Sequence, residues 1–137
     1  MFVVSHSDVE LRDAWIDGED DARWRSASGH GPGSGAAASG SSLLEVPPGC
    51  RLPRHTDSAE ELIVVLDGEA AVTVGGETEP VSAGGVALVP ADVPHEVRNA
   101  GKGALCFVAV YAAPEVVTRY EAPVQPDGER ERRPVSS

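Results

Sequence analysis

Gly49-Cys50-Arg51-Leu52-Pro53-Arg54-His55-Thr56-Asp57-Ser58-Ala59-Glu60-Glu61, followed by Gly68, and Gly84-Gly85-Val86-Ala87-Leu88-Val89-Pro90-Ala91-Asp92-Val93-Pro94-His95-Glu96-Val97-Arg98-Asn99 are the stretches that decide the fold. Two histidines and several carboxylates stand among strand-like apolar runs broken by glycine and proline. On a strand, alternate side chains share a face. His55 and Asp57 therefore point the same way. Glu61 shares its face with Ile63 and Val65, and His95 with Val97 and Asn99, leaving Glu96 and Arg98 opposite. A barrel of such strands brings His55, Asp57, Glu61 and His95 to one interior point. Two imidazoles with one or two carboxylates suit one borderline divalent ion per chain (Fe, Mn, Ni, Co or Zn) and leave coordination positions open. Buried without a partner, the same groups would cost on the order of several kcal/mol. Each residue alone reads as a solvated turn or a hydrogen-bonded strand residue; the joint spacing favours a metal pocket.

Outward from this stretch the pattern stays β. Residues 43–46 form a strand closed by Pro47-Pro48-Gly49. Leu62-Ile63-Val64-Val65-Leu66 reads as a strand buried on both faces. Asp67-Gly68 and Gly75-Gly76 read as hairpin turns joining residues 69–74 and 77–81 to their neighbours. Residues 86–89 stop at Pro90, and residues 104–111 form the last long apolar strand. Short turns without intervening helices imply an antiparallel sandwich or barrel. Upstream, residues 2–4 suit an edge strand. Residues 8–21 suit a helical turn or a loop pinned by Trp15, and residues 22–26 a half-buried strand. Residues 29–42, rich in Gly, Ser and Ala, suit a loop with His30 as a solvated member. The division expected is 1–41 packing on the barrel, 42–121 the barrel itself, and 122–137 a loosely held tail.

A chain of 137 residues is one domain by length. Only 4 % of residues are aromatic, so Val, Leu, Ile and Ala must build the core. Fifteen Gly and eleven Pro imply many turns, against a helical bundle. A net charge of −11 repels phosphate backbones and anionic lipid, and no Lys/Arg cluster offsets it. No nucleic-acid or membrane partner is expected. No apolar run is long enough for a membrane helix and no secretory signal is visible, so the cytoplasm is the expected compartment. Two cysteines, Cys50 and Cys106, cannot frame a disulfide-rich domain and read as thiols in a reducing setting.

The two stretches resemble the paired signature motifs of the cupin superfamily. The first motif runs Gly, five residues, His-x-His, three or four residues, Glu, six residues, Gly. Here it is Gly49, His55-Thr56-Asp57, Glu61 and Gly68 at that spacing. The second runs Gly, five residues, Pro-x-Gly, two residues, His, three residues, Asn. Here it is Gly84, Pro90-Ala91-Asp92, His95 and Asn99. The resemblance spans about fifty residues and implies an all-β double-stranded β-helix, the antiparallel jelly-roll barrel of the small single-domain members. Two positions depart from the motifs. Asp92 stands for the glycine of Pro-x-Gly, and Asp tolerates a left-handed turn better than most residues. Asp57 stands for the second histidine. It either joins the metal, turns away to leave His55, Glu61 and His95, or marks a site that has lost its ion.

The resemblance implies a metal-dependent enzyme of dioxygenase, isomerase, decarboxylase, lyase or cyclase type acting on a small oxygen-bearing molecule, with Glu61 catalytic. The alternative is a non-catalytic module that binds a small ligand. Inward residues Trp24, Leu44, Ile63, Val97, Phe107 and Tyr111 are expected to line the pocket. Resemblance to small cupins also implies a homodimer, with residues 2–5 or 116–124 as the exchanged element.

Overall fold

The alternation along the chain is realised as strands that pair only antiparallel. The computed structural model describes residues 1–133. Its strands are β1 (Arg12–Ile16), β2 (Glu19–Ser28), β3 (Gly40–Val46), β4 (Arg51–Asp57), β5 (Glu61–Asp67), β6 (Glu69–Val74), β7 (Glu77–Ser82), β8 (Val86–Val89), β9 (His95–Asn99), β10 (Leu105–Tyr111), β11 (Thr118–Val124) and β12 (Glu129–Arg132). They form two six-stranded sheets, ordered β1-β2-β3-β10-β5-β8 and β12-β11-β4-β9-β6-β7. This is the antiparallel jelly roll that the sequence implied. Inward side chains of both sheets, among them Trp24, Leu44, Val46, Leu52, Ile63, Val65, Val97 and Phe107, make one core. Burial of such apolar surface is the main stabilising term.

Chain crossings between the sheets depart from the simple hairpin reading. Gly75-Gly76 does turn a hairpin, with Val74 opposite Glu77. Asp67-Gly68 does not: β5 pairs with β10 and β8, and β6 with β7 and β9. Gly68 instead carries the chain from one sheet to the other at φ 90°, a conformation that favours glycine. Asp92 adopts φ 62°, the left-handed turn expected of an aspartate at that motif position.

β5 is buried on one face only. Ile63 and Val65 face the core, whereas Leu62 and Leu66 are 41 % and 47 % exposed. The apolar run reflects an exposed outer face, described below, rather than a second buried layer. The acidic stretch 8–21, expected as a helical turn or a loop pinned by Trp15, follows a short 3-10 turn at His6–Asp8 and forms β1 and the start of β2. There Ala14 and Ile16 are buried while Asp13 is exposed and Trp15 half-buried, a period of two. Residues 2–4 form no strand and are exposed. β1 and β2 extend the sheet of β3.

The segment expected to be a loose tail is held as far as Arg132. Val124 is fully buried, the Gln125 amide donates to the Trp15 carbonyl at 2.8 Å, and β12 pairs with β11. The apolar anchor Val124 was hidden among prolines and charges. Residues 134–137 of the expected tail lie outside the described residues.

Candidate metal centre

His55 and Asp57 end β4, His95 opens β9, and Glu61 opens β5. β4 and β9 are neighbours, and His55 and His95 are direct cross-strand partners, which sets their ring centroids 4.1 Å apart. Glu61 reaches the same point from the opposite sheet. All four side chains are 1–4 % exposed.

Each imidazole is oriented by its own strand. His55 Nδ1 lies 2.6 Å from the Pro53 carbonyl and His95 Nδ1 lies 3.0 Å from the Val93 carbonyl. A carbonyl only accepts, so each ring donates Nδ1–H there and turns Nε2 inward, as metal-binding histidines do. His95 Nε2 then lies 3.1 Å from Asp57 Oδ2 and 2.9 Å from Glu61 Oε1. His55 Nε2 lies 3.5 Å from Asp57 Oδ2. The donor geometry toward these oxygens is poor. Asp57 Oδ2, Glu61 Oε1 and His95 Nε2 make no hydrogen bond although they are buried. Native interiors seldom leave such atoms unmatched. The other Asp57 oxygen is matched: Thr118 on β11 donates its hydroxyl to Oδ1 at 2.5 Å.

Ligand atoms of His55, Asp57 and His95 lie within 4.8 Å of one another. These three residues can hold one metal ion, and Glu61 adjoins them through His95. The donors fit a divalent ion: two nitrogens from neutral rings, carboxylate oxygens and a hydrogen bond supporting Asp57. Asp57 has not turned away, which removes one of the alternatives left by the sequence.

Electrostatics shows what the cluster does as a set of acids and bases. Burial, helped by the nearby His95, lowers the His55 pKa to about 4. Burial disfavours charge on His95 too, but the carboxylates of Asp57 and Glu61, 3.1 and 2.9 Å from its Nε2, outweigh it and lift His95 to about 10. Burial works against the Asp57 charge, yet His95, His55 and Thr118 hold its pKa down at about 2. Burial raises Glu61 to about 7, against the pull of His95 and with Asp57 adding to the rise. At neutral pH the metal-free cluster therefore keeps a proton on His95, between two carboxyl groups.

A cavity of about 470 Å³ opens onto His55, Asp57 and Glu61; His95 lies behind them. Of the expected lining residues, Trp24, Leu44 and Tyr111 face it. Ile63, Val97 and Phe107 do not. They are fully buried in the core, because the inward face of a jelly roll is shared between cavity and packing, and the inward position alone does not separate the two. The sequence reading missed Thr118 and Tyr120 on β11. Tyr120 stacks on Trp24 with centroids 5.4 Å apart and contacts the His55 ring at 5.0 Å. The alternation Thr118, Tyr120, Ala122 was the available signal. His30 stays away from the centre, its ring nitrogens bonded to Ser41 and Ser39. Asn99 pins a loop, donating to the Val46 and Gly103 carbonyls and accepting from the Gly101 amide.

The model of the family described as "Cupin domain" matches residues 42–111. The chain belongs to the cupin family. Solved structures agree on the fold. The cupin domain of Schizosaccharomyces pombe Cnp3 superposes with a TM-score of 0.64 at 22 % identity, covering 80 % of this chain and 72 % of that one. Lactobacillus farciminis oxalate decarboxylase, in its formate complex, gives a TM-score of 0.66 at 22 % identity, covering 79 % and 32 %. Bacillus subtilis oxalate decarboxylase, which has Mn(II) centres, gives 0.60 at 22 %, covering 73 % and 28 %. Among curated proteins, "Endoribonuclease YbeY" of Myxococcus xanthus (strain DK1622) is 39 % identical over 66 residues, which is 48 % of this chain and 22 % of that protein. This cupin thus matches only about a fifth of that relative's length. No helix among the described residues is long and apolar enough to cross a membrane.

Proposed function

We propose that this cupin is a metal-dependent enzyme acting on a small oxygen-bearing organic molecule, with one divalent ion held by His55, Asp57, Glu61 and His95. The observation that carries the reading is the set of three buried, unmatched ligand atoms aimed at one point from two sheets. A bound ion would supply Lewis acidity, or redox capacity if it is iron or manganese. The Mn(II) centres of the B. subtilis relative make manganese the first ion to try.

The chain's own residues supply the rest. His55 and His95 are oriented with Nε2 inward by the Pro53 and Val93 carbonyls. Thr118 holds Asp57 in place. Glu61 lines the cavity, and we assign it proton transfer with the bound molecule. Dioxygenase, isomerase, lyase and cyclase chemistry all begin with an oxygen-bearing molecule placed against such a centre. Two free, half-buried cysteines suit a reducing compartment, and a cytoplasmic site of action goes with this reading.

A second reading has its own support. A protonated His95 between Asp57 and Glu61 is an internal ion cluster that leaves the barrel a metal-free ligand-binding module. Elemental analysis of the purified chain, before and after loading with Mn, Fe, Co, Ni or Zn, separates the two. Close to one ion per chain, lost in His95→Ala, is expected. A correctly folded chain that takes up none of these ions overturns the enzyme proposal in favour of the module.

A further inference from the structure

The cavity's walls say more about its occupant than its floor does. Charge is the first constraint. Two carboxylates, Asp57 and Glu61, would cancel a divalent ion, and both histidines are needed as neutral ligands. The rim adds nothing: the lining guanidiniums of Arg12, Arg132 and Arg133 are matched in number by Glu10, Asp13 and Asp127. Arg132 is tied to Asp127 at 2.8 Å, and Arg133 to Glu131 at 3.4 Å. A doubly charged anion therefore meets no net positive field.

Shape and chemistry are the second. Trp24 and Tyr120 form a stacked pair, with 27° between their planes, and both line the cavity beside His55. Leu44 and Leu52 continue this apolar wall. Tyr111 lies cross-strand from Glu61. Its hydroxyl donates to Ser42 Oγ at 3.5 Å, which leaves the Ser42 O–H able to donate to an occupant. One wall is thus aromatic and aliphatic, and another offers hydroxyls close to the carboxylate floor. A volume of about 470 Å³ is ring-sized or larger, well beyond a two-carbon diacid.

Given the metal centre proposed above, we infer that this cavity takes a ring-bearing molecule with adjacent oxygen donors and at most a single negative charge: a phenol, an enol or a hydroxyketone. The oxygens face the floor. The ring lies along Trp24 and Tyr120, and a second oxygen is within the reach of the Tyr111–Ser42 pair.

The test is calorimetric titration of the Mn-loaded chain with maltol, a ring hydroxyketone that chelates as a monoanion, and with oxalate, a compact dianion. Each affinity is divided by that for free Mn2+ in the same buffer. The maltol ratio is expected to exceed the oxalate ratio by about tenfold or more, the scale of one aromatic contact with some added apolar burial. Tyr120→Leu should remove most of that advantage while leaving manganese content and the oxalate ratio unchanged. Ser42→Ala, less demanding for folding, should lower the maltol ratio alone. An oxalate ratio equal to or above that of maltol, on protein carrying its metal, overturns this inference and leaves the metal centre standing. Failure to load manganese or any other ion overturns the metal centre, and this inference with it.

Discussion

At the scale of single residues, the candidate site is governed by which atom of each side chain is already occupied. Thr118 holds one Asp57 oxygen and so presents the other. Thr118→Val keeps the shape and removes the hydrogen bond; metal affinity should fall by about 10- to 100-fold, read by competition with a coloured chelator. Protonation gives a second test, whose sign follows from the shifts. His95 is raised from 6.5 to about 10. Its contribution is therefore fully present below pH 6.5 and is lost as pH rises toward 10. Glu61 is raised from 4.5 to about 7 and loses its favourable protonated form over that lower window. His55 is lowered from 6.5 to about 4, so stability also falls as pH drops through that range. Metal-free protein should be most resistant to urea between about pH 4.5 and 6.5, where the opposite slopes of His55 and Glu61 offset each other, and lose resistance steadily toward pH 10. Metal binding displaces the His95 proton, so loaded protein should gain its largest extra resistance at the alkaline end. A metal-free chain whose urea midpoint rises between pH 7 and 10 would contradict the assignment of that proton.

At the scale of elements, the turns decide which strand meets which. Gly68 and Gly84 both have left-handed backbones, at φ 90° and 89°, but differ in their surroundings. A Cβ on Gly68 would meet the Ala104 carbonyl oxygen at 2.8 Å, whereas one on Gly84 meets nothing within 4 Å. Gly84→Ala should cost about 1 kcal/mol, and Gly68→Ala visibly more, about 2–3 kcal/mol, measured by urea unfolding. The site was legible because its spacings are local. His55 and Asp57 two apart, Glu61 at a strand start and His95 behind a Pro-x-Asp turn each fix a face, and the observed faces agree. Sheet partnership was not legible. Asp67-Gly68 carries the same dipeptide whether the next strand folds back beside its predecessor or crosses to the other sheet, and the choice rests on distant contacts such as Phe107 with Val65. The same limit hid Thr118 and Tyr120, whose place beside β4 depends on a strand more than fifty residues away in the chain.

At the scale of the whole molecule, the outer face of the β10-β5-β8 sheet stands out. Leu62 and Leu88 are cross-strand partners, as are Val64 and Val86. Leu88 is 56 % and Val86 58 % exposed. Neighbouring exposed apolar side chains of this kind mark a candidate interaction surface, and for a chain of net charge −11 it is where a second copy can approach with little repulsion. The expected homodimer is best assigned to this face. β11, one of the segments expected to be exchanged, is already paired with β4 of its own chain. Light scattering should report a dimer for the parent chain and a folded monomer for Leu62→Glu/Leu88→Glu; a monomeric parent would reject the assignment. The split origin of the metal centre has a consequence of its own. His55, Asp57 and His95 belong to one sheet and Glu61 to the other, so an ion there would rivet the two halves of the sandwich together. Amide exchange along β5 should slow on loading even at positions far from the cavity, as a seam does once it is stitched at one point.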